Sequence, residues 1–219
     1  RHYDIDGDKL PSVTTILSAT QSDEKKASLA AWKARMGDKA ADEVRDTAAA
    51  RGTAMHTYLE HYLDGTGYKD LTTLGKQAEV MANKIIESGL GDLEELWGLE
   101  TTLYYPDLYA GATDVVGIYA GQPAIIDFKQ SNKPKRREWI LDYFEQLGAY
   151  AMAHNQVYGT KIQSGIVLMC TKDFLFQKFE VSGREFVRHQ HAFLRKCDQY
   201  YKNVSQAKEG QDTKNDQKV

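Results

Sequence analysis

Cysteine is almost missing from this chain of 219 residues: there are two, Cys170 and Cys197. Two thiols build neither a disulfide framework nor a four-cysteine metal site, so a reducing, intracellular setting is expected. No apolar run approaches the roughly 20 residues that cross a bilayer, and nothing reads as a signal peptide. The first residue is Arg1 rather than Met, so the native N-terminus is expected to be missing. Internal repeats are lacking too, and so is an excess of positive charge. Lys and Arg number 28 against 31 Asp and Glu, a net −3 with a pI near 6.1, which argues against bulk coating of polyanions. What is there is an ordinary globular composition. The 42% hydrophobic fraction excludes a mostly disordered chain, and the length suits one domain with a helical extension.

Residues 1–93 read as helical. Pro11 and Ser12 open an apolar stretch at helix spacing through Val13, Ile16 and Leu17. Asp23 is positioned to cap a segment ending at Met36–Gly37, a long helix is expected over 39–63, and a fourth over 74–88. The pattern then turns to Val, Ile, Thr and Tyr. Strands are expected over 99–105, 112–119 and 124–128 in a meander. A helix over 137–158, strands over 165–170 and 174–181, and a helix led by Ser182 follow. The core is expected over 94–204 and a polar, frayed tail over 205–219. Helices, three strands, helix, two strands and helix make an α/β fold with a mixed sheet flanked by helices.

The chemistry concentrates around Ala120-Gly121. A turn centred there sets Val116 opposite Ile125 and Asp114 opposite Asp127, and alternation puts Asp114, Asp127 and Lys129 on one core-facing side. Like charges directly opposite are destabilising, and an ionised Asp within an apolar strand is costly unless paired. Such a pair suits a divalent cation with oxygen ligands. Lys129, two residues beyond Asp127, is placed to orient or deprotonate a water there. The competing reading is an exposed hairpin edge with a salt bridge, and a slip of one residue would flip the face.

Four further features stand beside this pair. His56 follows Gly52 by one helical turn. A helix-interior Gly costs about 1 kcal/mol relative to Ala, which points to a close approach by a strand or a phosphate chain. Glu60, one turn beyond on the same face, reads as a group supporting His56 or, in preference, as a surface charge. Gln146 and Tyr150 share a helix face, where an amide reads donors and acceptors and a ring can stack on a base; an ordinary amphipathic helix is the alternative. The stretch 129–137 holds Lys129, Lys133, Lys135, Arg136 and Arg137 and no acid, which suits a phosphate backbone, with Trp139 behind it to stack on an unpaired base.

In this order, Gly52 to His56, Asp114, Asp127-Phe128-Lys129 and Gln146 to Tyr150 resemble the PD-(D/E)XK nuclease superfamily in its RecB-like exonuclease branch. Leu10-Pro11-Ser12-Val13-Thr14-Thr15-Ile16-Leu17, Trp32-Lys33-Ala34-Arg35-Met36 and the stretch from Asp127 through Lys135 are similar to the mitochondrial genome maintenance exonuclease family. The resemblance covers roughly residues 8–200. It implies a restriction-endonuclease-like α/β core with an N-terminal helical region carrying the His motif. It implies metal-dependent hydrolysis of DNA, preferably single-stranded with a free end, in replication, recombination or repair. His56, Asp114, Asp127 and the Phe128 carbonyl would bind Mg²⁺ or Mn²⁺, and Lys129 would position the attacking water. Gln146, Tyr150, Ser131, Lys133, Lys135, Arg136 and Arg51 would meet the DNA. Iron–sulfur members of the branch use four cysteines, so that cluster is excluded. A bacterial or phage-infected cytoplasm is expected ahead of a mitochondrial matrix, with no membrane and with replication or recombination proteins as company. A structure-specific endonuclease and a non-catalytic nucleic-acid-binding module are the rivals.

Overall fold

The computed structural model describes the backbone of residues 1–5 and 7–216 and the side chains of those through 207. The chain opens on a two-stranded hairpin, β1 (His2–Ile5) and β2 (Asp8–Pro11), which replaces the helical start expected from sequence. Strands this short, with alternating polar residues, carry too weak a pattern to be read against their helical neighbours. Ser12 then caps α1 (Val13–Ala19), its hydroxyl accepting from Thr15 N. Ser22 rather than Asp23 caps α2 (Asp23–Met36), since its oxygen accepts from Lys25 N. Gly37, at φ 80°, turns the chain into α3 (Asp38–Leu63). After α4 (Thr73–Gly89) come β3 (Leu93–Tyr105), β4 (Tyr109–Tyr119) and β5 (Gln122–Ser131), the expected meander.

A 3-10 turn at Arg137–Trp139 precedes α5 (Leu141–Tyr158), so the helix starts later than the apolar spacing suggested. Strands β6 (Ser164–Thr171) and β7 (Phe176–Ser182) and helix α6 (Gly183–Asp216) complete the order. Helix α6 continues through 205–216, where a frayed tail was expected; residues 217–219 lie outside the described residues. Among the described residues no helix is long and apolar enough to cross a membrane.

The five-stranded sheet runs β3-β4-β5-β6-β7. All pairs are antiparallel except β5 with β6, which α5 connects as a parallel crossover. The β4–β5 register is the one expected, Val116 opposite Ile125 and Ile118 opposite Pro123.

Both faces of the sheet are core, as a mixed sheet with helices on its faces requires. On one face Val116, Ile125, Val167 and Met169 pack with Phe144 and Leu147 of α5, Phe186 and Phe193 of α6, and Val13 and Ile16 of α1. On the other, Val115, Ile126, Phe128 and Leu168 pack with Met55 and Leu59 of α3 and Met81 and Ile85 of α4. A strand covered on both faces reads as a near-continuous apolar run, and Ala124–Phe128 is one, broken by Asp127 alone. Each large apolar side chain fully withdrawn from water contributes about 1.5–3 kcal/mol. The central strands are therefore rigid, and whatever sits at their ends is held in place.

Candidate active site

The site forms where β4 and β5 part. Ladder pairing runs to Val115 opposite Ile126 and stops there. One step on, Asp114 Oδ2 accepts from Phe128 N at 2.7 Å, so a side chain takes over from the strand backbone. This is how the two facing aspartates are tolerated. Asp114 is held by the Phe128 amide and by His56, whose Nδ1 lies 3.4 Å from Asp114 Oδ1. Asp127 is held by Lys129, with Nζ 2.6 Å from Oδ2. That ion pair is the contact Asp127 Oδ2 makes among the described residues, and the oxygen accepts from nothing else there.

His56 arrives from α3 on the opposite face of the sheet. Its Nε2 stands 2.9 Å from the Phe128 carbonyl oxygen, placed to donate to it. Gly52, one turn earlier, is the close approach that its position suggested. A Cβ there would come within 3.1 Å of Gln130 Cγ, so the neighbour is β5, a strand. From α5, Gln146 Oε1 accepts from Lys129 Nζ at 3.2 Å, and Gln146 Nε2 donates to the Tyr150 hydroxyl at 3.2 Å. The Lys129 ammonium also lies 5.0 Å from the centre of the Tyr143 ring.

The charges follow this enclosure. Burial pushes Asp127 up to about 6, with Asp114 adding to the rise and Lys129 opposing it. Burial also works to raise Asp114, but His56, Lys129 and the Phe128 amide outweigh it and hold that carboxyl below its usual value. Burial works to lower His56 and Lys129, yet both end above their usual values, His56 because of Asp114 and Lys129 because of Asp127 and Asp114. Two carboxyls of one kind are thus driven apart by their surroundings.

The donor set fits a hard divalent cation. Two carboxylates and a backbone carbonyl supply oxygens, a histidine stands beside them, and Asp127 Oδ2 meets the Lys129 ammonium alone among the described residues. One acid in the cluster was missed from sequence. Glu100 of β3 falls between Leu99 opposite Val115 and Thr101 opposite Thr113, hence beside Asp114. His56, Glu100 and Asp114 each offer a ligand atom within 4.8 Å of the others, a cluster that could hold a metal ion. Glu100 adopts φ 47°, a region rarely used by residues with a side chain, and burial followed by Asp114 raises its carboxyl. The turn at Pro106-Asp107 carries the signal that would have found it, because continuing that hairpin's register leads from Asp114 to Glu100. Glu60 is exposed, as expected of a surface charge.

Several residues expected on the DNA lie elsewhere. Tyr150 is 3% exposed, too buried for its ring to stack on a base; the ring packs over Gly111, where a Cβ would meet its Cε1 at 2.8 Å. Arg51 is 5% exposed and binds Gln130 and Asn132, strapping α3 to the end of β5. Buried Ser131 donates to the Lys133 carbonyl at 2.7 Å and shapes the following loop. These three support the site from behind. Arg137 is tied to the Glu180 carbonyl and to Glu185. Gln146 reaches Lys129 instead of open solvent. Lys133 and Arg136 are exposed, and Lys135 is half-buried with its backbone clamped by Gln177.

No protein-family model matches the chain. In sequence it is 30% identical over 177 residues to human mitochondrial genome maintenance exonuclease 1, covering 75% of this chain and 50% of the relative. The Xenopus tropicalis protein of that name is 29% identical over 178 residues. The chain thus spans about half the length of the curated relatives it matches. In structure it is similar to a putative exonuclease from Eubacterium rectale, with a TM-score of 0.51 at 14% identity over 73% of this chain and 68% of that one. Across the aligned three quarters of its length the chain is similar in sequence to the mitochondrial genome maintenance exonucleases, and its α/β fold is similar to that of the bacterial protein.

Proposed function

We propose that the protein is a metal-dependent exonuclease that hydrolyses DNA, preferring single strands with a free end, in replication, recombination or repair. The observation that carries this reading is the convergence of His56, Asp114, Asp127, the Phe128 carbonyl and Lys129 where β4 and β5 part. The exonuclease relatives support it.

His56, Asp114, Asp127 and the Phe128 carbonyl would hold Mg²⁺ or Mn²⁺, with Glu100 within reach of the same cluster. The bound cation would polarise the scissile phosphoryl oxygen and make water more acidic at neutral pH. The remaining work falls to the chain itself. Lys129 is fixed between Asp127, Gln146 and the Tyr143 ring, and its ammonium donates hydrogen bonds to the attacking water and to charge building on the phosphate. Asp127, ionised above about pH 6, keeps that ammonium charged. Gln146, itself held by Tyr150, fixes the amine from the other side.

The test compares an end-labelled linear single strand with a covalently closed circle of the same sequence, each with Mg²⁺, Mn²⁺ or chelator. The linear strand should be degraded with either metal and survive chelation, while the circle stays intact. Asp127→Ala and Lys129→Ala should each abolish degradation. A cleaved circle would make the protein an endonuclease, and unchanged degradation by both variants would remove the site from the reaction.

A further inference from the structure

We propose that Arg136 and Trp139 form a stacking platform for one unpaired base of the strand being degraded; this rests on the nuclease reading above. Trp139 is 56% exposed, unusual for the largest aromatic side chain. The Arg136 guanidinium lies 5.2 Å from the ring centre, and the neighbouring Leu141 is also exposed. A flat aromatic face backed by a cation stacks with any base and draws the phosphate beside it.

The segment bearing this pair is fixed in advance. Gln177 clamps the Lys135 backbone from both sides, accepting from its N–H at 2.8 Å and donating to its carbonyl at 2.9 Å. Arg137 donates to the Glu180 carbonyl at 2.8 Å and to Glu185 at 2.9 Å, and covers the Phe144 ring at 4.6 Å. Ile140 is buried next to Trp139. Arg136, Glu138 and Trp139 are left displayed on a strapped turn, with Glu138 Oε1 4.0 Å from the Arg136 guanidinium, so little freedom is lost when a base docks on the ring.

The place along the strand follows from α5. Tyr143, four residues after Trp139, already touches the catalytic amine of Lys129. Trp139 ends the 3-10 turn and Tyr143 lies in the first turn of α5. Four residues of chain therefore separate them, at most about 14 Å at roughly 3.5 Å per residue, on the order of four stacked nucleotides at about 3.4 Å each. The platform therefore takes a base within about four nucleotides of the scissile bond. A base locked in a duplex cannot offer its face there, so the pair also selects for unpaired strands.

Binding of short single strands, each with one abasic position, tests this in a Lys129→Ala background that leaves the strand uncut. The parent should lose about tenfold in affinity when the abasic position reaches one offset from the free end. Adding Trp139→Ala should lose the same on the intact strand and nothing more at that offset, while Trp139→Phe keeps most of the affinity. Because Trp139 is exposed, all three should melt together. Losses that add at every offset, or Trp139→Ala binding like the parent, would overturn the platform while wild-type digestion of DNA leaves the nuclease reading standing. Failure of the wild-type protein to degrade DNA at all would overturn both.

Discussion

Asp127 carries an ionised carboxylate into an apolar strand and finds only Lys129 to meet it. Its raised value, about 6, says that the ionised form is disfavoured by burial even with that lysine 2.6 Å away. A residue kept under such strain suits a charge that arrives later. Asp127→Asn should abolish the rise in melting temperature caused by Mg²⁺ or Mn²⁺ at pH 7.5, and should lower the metal-free value because the buried Lys129 ammonium loses its partner. Thermal denaturation with and without metal reads both effects; a variant still stabilised like wild type would show that Asp127 holds no cation. His56, Asp114, Asp127 and Lys129 were legible in the sequence because each stands in a short local pattern. Glu100 and Tyr143 were not, because they join the site only through register across β3–β4 and through helix placement beside Lys129. Burial was the other hidden quantity. A tyrosine on an amphipathic helix shows its period but not its depth, so Tyr150 read as a stacking ring and is instead a prop.

At the level of elements, the site depends on strands that part at the right residue. The meander and its register were readable because the turn at Ala120-Gly121 and the apolar alternation agreed. The N-terminal hairpin and the length of α6 were not, because neither shows a period distinct from its surroundings. Arg51 makes the strap between α3 and β5 specific. Its guanidinium serves two amide oxygens of β5 and the loop beyond. Arg51→Ala should destabilise the fold by about 1–2 kcal/mol, since charged hydrogen bonds to half-buried acceptors are lost. Chemical denaturation measures that loss. The salt dependence of DNA binding should stay unchanged, because Arg51 faces inward. The loop after β5 should behave in the opposite way. Lys133 and Arg136 are exposed, and replacing them should lower the slope of log affinity against log salt by about one per lost phosphate contact, with little change in melting. An unchanged slope would take the loop off the path of the strand.

Across the whole molecule the net charge of −3 conceals an uneven distribution, with a basic stretch beside an acidic site, so stability, proton binding and metal binding are linked. In the metal-free protein Asp127 and His56 both sit above their usual values. A folded state that holds protons more tightly than the unfolded chain loses stability as pH rises. The Asp127 contribution is present below its ordinary value and fades up to about pH 6; the His56 contribution is present below pH 6.5 and fades as pH rises through its folded value. Asp114 runs the other way, its contribution being lost only as pH falls below the ordinary carboxylate range. Metal-free melting temperature should therefore decline from pH 5 to pH 8 by more in wild type than in an Asp127→Asn, His56→Ala double variant. A divalent cation needs both groups deprotonated, so it competes with those protons. Its stabilising effect should grow over the same pH range, and binding at pH 6 should release protons. Calorimetric titration in two buffers of different ionisation enthalpy counts them, and proton-free binding at pH 6 would mean that the cation does not sit between Asp127 and His56.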